Sequence, residues 1–104
     1  MTTTNVPAFF FAVTAILRAL LDKGIETGDI EMVDNDMCEI GFNGKGGWVL
    51  AVSMGAEEDI DLVLSVCLRN PGDQTFEFSM PVYDSHVEFE ARVHNEMLEL
   101  IASI

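Results

Sequence analysis

His86, Glu90 and His94 follow one another at intervals of four residues. On a helix such positions stack on one stripe, so two imidazoles and a carboxylate would face the same way. That donor set suits a divalent metal. The segment lacks HExxH, and the three would need a fourth ligand from elsewhere in the chain. The same stripe serves equally as a packed or ion-paired helix edge, with Glu90 and His94 as partners and a histidine able to report on pH. No metal and no organic cofactor is expected.

Nucleophilic chemistry has less support. Ser85 stands where a helix cap is needed, no G-x-S-x-G elbow exists, and neither Cys38 nor Cys67 has basic neighbours to favour a thiolate. Gly44-Lys45-Gly46-Gly47 has glycines and a lysine but not the GxxxxGK[ST] spacing of a phosphate loop. It reads as a hairpin. With eighteen acids some carboxylates must meet, yet no spacing selects a pair for acid–base work. A small enzyme using a carboxylate or a His/Glu site is therefore the third reading, behind two kinds of binding protein.

The elements that would position these groups are legible from periodicity. Residues 6–21 repeat apolar side chains at helical spacing, with Pro7 near the start, Thr4 or Asn5 as cap, and Gly24 as the stop. The stretch has no basic n-region and is shorter than the roughly 20 residues that span a bilayer, so it reads as a helix rather than a leader or an anchor. From residue 30 the period drops to two. Strand patterns cover 30–33, 38–42, 48–54, 60–68 and 76–82, separated by Asp34-Asn35-Asp36, the Gly44–Gly47 loop, an acidic connection at 55–59, and Asn70-Pro71-Gly72-Asp73. Short connections favour antiparallel neighbours. Ser85-His86-Val87-Glu88 is a capping box that opens a last helix. The expected fold is a single α+β domain over residues 1–104: an N-terminal helix, an antiparallel sheet of four to five strands, and a C-terminal helix packed on the sheet. The expected core is Phe10, Ile16, Leu20, Ile40, Trp48, Leu50, Leu62, Leu64, Phe78, Leu98 and Ile101.

Composition then narrows the function classes. Two cysteines without CxxC spacing are no disulfide framework, and read as buried reduced thiols in a cytoplasmic protein. Eighteen acids against five bases give a formal charge of −13. Phosphate contacts require Lys and Arg, so direct nucleic-acid binding and docking on anionic membranes are both disfavoured. The acids are clustered. Residues 22–39 hold seven of them against Lys23 alone, and Glu57, Glu58, Asp59 and Asp61 form a second knot. Either run is a solubilising face or a surface for a basic partner.

Both terminal helices are apolar over more circumference than the ~100° stripe that one core requires. The first carries Phe11 and Ala15 opposite its main stripe, and the last carries apolar side chains over roughly 200° of its surface. Two helices with the same surplus predict a second thing to pack against, a partner protein or a second copy in a symmetric homodimer. Phe11, Ala15, Val93, Met97 and Leu100 are the candidate contacts. Five internal methionines add adaptable apolar surface.

Two stretches carry a family resemblance. Residues 16–54 present a Leu-rich helix, Gly24, and then Asp34-Asn35-Asp36-Met37-Cys38-Glu39-Ile40; residues 76–104 present a strand ending in Met80-Pro81-Val82 and a capped helix. Over about two-thirds of its length the chain resembles the type III secretion chaperones and their relatives of the same fold. The resemblance implies a small acidic cytoplasmic homodimer, chaperone-like, that holds partner proteins without catalysis. One departure is visible: that family usually inserts a helix between its third and fourth strands, where this chain has only residues 55–59.

A second class accounts for the charge directly. Small viral inhibitors of host restriction or CRISPR nucleases (anti-CRISPR and anti-restriction proteins) are often acidic and act as DNA mimics, presenting carboxylates at phosphate-like spacing. Here the candidates are Asp29, Glu31, Asp34, Asp36, Glu39, Glu57, Glu58, Asp59 and Asp61. Both classes bind and occlude a protein; they differ in whether apolar surface or carboxylates do the binding.

Overall fold

A computed structural model describes residues 5–34, 36–57, 60–83 and 85–104. Helix α1 spans Asn5–Asp22, strands β1 to β5 span Thr27–Asp34, Met37–Phe42, Val49–Glu57, Ile60–Arg69 and Thr75–Pro81, and helix α2 spans His86–Leu100, ending in a 3-10 turn at Ile101–Ser103. The strands form one antiparallel sheet in the order β1-β2-β3-β4-β5, as their short turns require. Helix, five-strand antiparallel sheet and C-terminal helix packed upon it make an α+β fold.

Register places the alternating side chains in rows across the sheet. Met32, Cys38, Val52, Val66 and Phe78 are successive cross-strand partners, and so are Ile30, Ile40, Leu50, Leu68 and Phe76. The middle members of both rows are fully buried under the helices, together with Met54, Leu64 and Met80. The opposite face carries Glu39, Ser65, Arg69, Glu77 and Ser79 into solvent, while Val49, Ala51, Ser53, Val63 and Cys67 are half-buried there. Neither helix crosses that face, and Met37 stands exposed on it.

Most of the expected core is present. Ile16, Leu20, Ile40, Leu50, Leu64 and Ile101 are buried, and Trp48, Leu62, Phe78 and Leu98 pack half-buried against them. Phe10 is the correction: it points outward, and Phe9 occupies the core in its place. Two helices sharing one face of a sheet explain why. α1 turns the arc holding Phe9, Ala12, Ile16 and Leu20 to the sheet and uses the side holding Ala15 and Phe11 against α2, which leaves the Phe10 flank outside.

Two local devices fix the ends of elements. Ser85 Oγ accepts a hydrogen bond from the Glu88 N–H at 3.3 Å, so the expected serine cap forms, while Glu88 Oε2 accepts from Arg92 Nε at 3.1 Å. At the other end of the sheet Gly47 has φ +90°, and a Cβ there would stand 2.9 Å from the Pro71 ring. The β2–β3 and β4–β5 turns thus meet through a missing side chain. Gly47→Ala should cost about 1–3 kcal/mol in a denaturant titration, from the left-handed backbone and the clash together.

Cys38 is fully buried on the inner face, whereas Cys67 is half-buried on the outer one. Burial, and secondarily the charge of Glu39, pushes the Cys38 thiol above its usual range. A thiol reagent at pH 8 should modify Cys67 in the native protein and reach Cys38 only on unfolding, because the thiolate is the reacting species. Equal rates at both cysteines would show that the inner face opens readily.

Candidate functional site

The His86–Glu90–His94 stripe lies along the seam between the helices. The His86 ring stacks on Phe11 with centroids 4.8 Å apart. His94 Nε2 and Asp22 Oδ2 are 2.9 Å apart, with the carboxylate as acceptor, so the pair joins the end of α1 to the middle of α2. Glu90, half-buried, lines a groove of about 440 Å³ between the helices with Ala15, Arg18 and His94. Among the described residues no three His, Cys, Asp or Glu side chains converge as metal ligands. The stripe fastens one helix to the other.

The seam also accounts for the apolar surplus. Ala15, Val93, Met97 and Leu100 are all buried within a single chain, and Phe11 is half-buried beneath His86. A helix that contacts both a sheet and a parallel neighbour needs two apolar faces, which is the breadth seen in each helix. These five side chains are therefore not the exposed patch that the sequence suggested.

The acids fall into two groups. Asp29, Glu31, Asp34 and Glu39 are exposed along β1 and β2, and Asp36 is half-buried in the turn between those strands, where its carbonyl accepts from the Met54 N–H at 2.9 Å. The side chains of Glu57 and Asp61, and Glu58 and Asp59 entirely, lie outside the described residues; Glu57 and Ile60 are cross-strand partners closing the β3–β4 hairpin. Because the sheet is a meander, that hairpin and the β1–β2 turn sit at the same end of it. Glu31 also stands directly opposite Glu39 in the register. Like charges so placed repel across about 5 Å. Glu31→Gln should stabilise the protein by about 0.2–0.5 kcal/mol at low ionic strength, an effect that shrinks as salt is added.

A third feature was not legible in the sequence. The alanines at 8, 12, 15 and 19 let α1 lie close to α2, and two helices about 8–10 Å apart cover roughly four strands spaced about 4.8 Å. The fifth, β1, is left without a lid. Ile30 and Met32 continue the buried rows of the sheet yet are 45% and 52% exposed. On α1, Phe10 and Leu21 are 59% and 75% exposed, with Val13 and Leu17 half-buried. Leu17, Leu21, Ile25, Glu26 and Thr27 line an open cavity of about 400 Å³ where α1 passes into β1. This α1–β1 shelf, the open cavity at the passage together with the exposed inner face of β1, is apolar surface that the helices leave uncovered.

No family model, curated protein or solved structure matches the chain. None of the described helices is long and apolar enough to cross a membrane.

Proposed function

We propose that this chain is a non-enzymatic, acidic protein-binding module that binds and occludes a partner protein in a chaperone-like manner. The observation that carries the reading is the α1–β1 shelf. Phe10, Leu21, Ile30 and Met32 are large and exposed, as are Val33, Met37, Phe76 and Val87 elsewhere, and Leu17, Leu21 and Ile25 line an open cavity where α1 passes into β1; exposed apolar surface of this kind marks sites of protein association. The partner meets the shelf, and the surrounding carboxylates keep the free protein dispersed. Immobilised protein should retain one stoichiometric partner from a lysate of its own cells. It should hold that partner as salt rises to 0.5 M, where the screening length falls to roughly 4–5 Å and apolar contacts persist. Failure to retain any protein at low and high salt would reject the reading.

The placement of the acids favours a second reading, a DNA-mimicking inhibitor of a defence nuclease. The meander brings the Asp34–Asp36 turn and the β3–β4 hairpin to one end of the sheet, and Asp29, Glu31 and Glu39 are exposed along β1 and β2. On that reading the partner releases at moderate salt, and replacing Asp34, Asp36 and Glu39 by their amides abolishes capture while shelf substitutions do not.

A further inference from the structure

The free edge of β5 offers a second surface. We propose that β5 takes up an extended segment of a partner protein as an added strand, with Lys or Arg at alternate positions turned under α2. β5 and β1 close opposite ends of the strand order, so this surface is independent of the shelf.

Backbone phase defines what the edge presents. β5 pairs with β4 in unbroken antiparallel register from Val63↔Pro81 to Arg69↔Thr75. Just beyond the two ends of that ladder, the Val82 N–H donates to the Leu62 carbonyl at 3.1 Å and the Asn70 N–H to the Gln74 carbonyl at 3.0 Å. Hydrogen-bonded pairs alternate along an antiparallel ladder, so the same phase turns the backbone groups of Phe76, Phe78 and Met80 towards β4. Thr75, Glu77 and Ser79 then point their N–H and C=O groups away from the sheet, and among the described residues no strand pairs with that side. Pro81, next in the outward series, has no N–H and ends the run. The β1 edge differs. Its register shifts between Thr27 and Ile30 and again between Met32 and Asp34, and irregularities of that kind turn an edge away from pairing. β5 carries no such guard over residues 75–81.

Charge and shape select the strand. A residue of the added strand opposite Phe76 or Phe78 lies on their face of the sheet, under α2. There it meets an open cavity of about 300 Å³ lined by Phe76, Phe78, Leu100, Glu96 and Glu99, with Glu77 at the rim between the two phenylalanines. Both α2 glutamates are exposed, and no base lines the cavity. Arg92, one turn before Glu96, is held by Glu88 at 3.1 Å and stands over the Tyr83 ring at 4.9 Å. A Lys or Arg side chain suits both parts of the cavity, with its stem on the phenylalanines and its cation at the carboxylates. A second copy of this chain suits neither. The register that matches Thr75, Glu77 and Ser79 to the same residues of a copy sets Glu77 against Glu77, and like charges directly opposite repel. Residues 75–81 also contain no base to offer Glu96 and Glu99.

The test titrates a synthetic nine-residue peptide of alternating Lys and Val into the isotope-labelled full chain at 0.15 M salt, followed by NMR. Saturating peptide should slow hydrogen exchange at the Thr75, Glu77 and Ser79 amides roughly tenfold or more, because each gains an acceptor. In the bound strand Val stands opposite Glu77 and bonds the edge, while Lys turns under α2 with its own N–H pointing away from β5. N-methylation of the Val amides should therefore weaken binding roughly tenfold or more, and N-methylation of the Lys amides should not. Glu96→Lys with Glu99→Lys should weaken it to a similar degree, and Leu21→Asp, on the shelf, should leave it unchanged. The exchange and methylation readouts use the unaltered chain, so they decide the matter if the charge variant fails to fold. No binding at 1 mM peptide, equal affinity of the two methylated peptides, or unchanged exchange at the three amides would each overturn the proposal. Protection of those amides without peptide, in a protein that sediments as a dimer, would also overturn it by giving the edge to a second copy. None of these results touches the shelf, which is tested separately by capture of a stoichiometric partner.

Discussion

Met97→Asp should unfold this protein, with no native baseline left in a thermal or urea melt. Met97 is fully buried between α2, α1 and the sheet, and the described residues contain no buried polar or charged side chain that could receive a carboxylate. An unpaired charge there costs several kcal/mol, against a total stability of about 5–15 kcal/mol for an ordinary domain. The same substitution at Leu21 should change stability by less than about 0.5–1 kcal/mol, because that side chain already stands in water. A binding assay on Met97→Asp or Val93→Asp would therefore report the loss of the fold. The variants that probe binding belong on the shelf.

The adjacent phenylalanines should separate just as sharply. Phe9→Ala empties a fully buried site beneath α1 and should cost about 3–5 kcal/mol. Phe10→Ala removes a ring that is mostly exposed and should cost less than about 1 kcal/mol. Urea midpoints of the two variants give the comparison directly. Comparable losses would mean that α1 is rotated by about one residue from the orientation described, which would also move Leu21 off the shelf.

That pair shows where sequence reasoning reached its limit. The period-two runs located all five strands, and the 3.6-residue period located both helices, since each element repeats its own signature several times. Ser85 announced the start of α2 because a cap is a local device. Phe9 and Phe10 lie about 100° apart on a helix that is apolar over much of its circumference. The side that turns inward depends on where α2 sits, and no residue of α1 states that. Ala15, Val93, Met97 and Leu100 looked surplus for the same reason: a width of ~100° is the requirement of a helix with one neighbour, and each helix here has two.

The shelf lay beyond the sequence for a different reason. Ile30 and Met32 alternate with Asp29 and Glu31 like any half-buried strand. Their exposure follows from a count of layers, two closely packed helices over five strands, and from the alanines that draw α1 towards α2 and away from β1. The acids were visible from the start. The Glu31–Glu39 confrontation required the order and register of the strands.

The central claim is that apolar surface on one flank, rather than the carboxylates, holds the partner. The most direct measurement is the affinity of the captured partner for the wild-type chain and for Leu21→Asp/Met32→Asp, by calorimetry at 0.05 M and 0.5 M salt. Burying each of these side chains is worth roughly 1.5–3 kcal/mol, so the double variant should bind at least a hundredfold more weakly at both salt concentrations. The wild-type affinity should change by less than about tenfold between them. A double variant that binds as tightly as wild type, in a complex that disappears at the higher salt, would contradict the account and place the interaction on the acids.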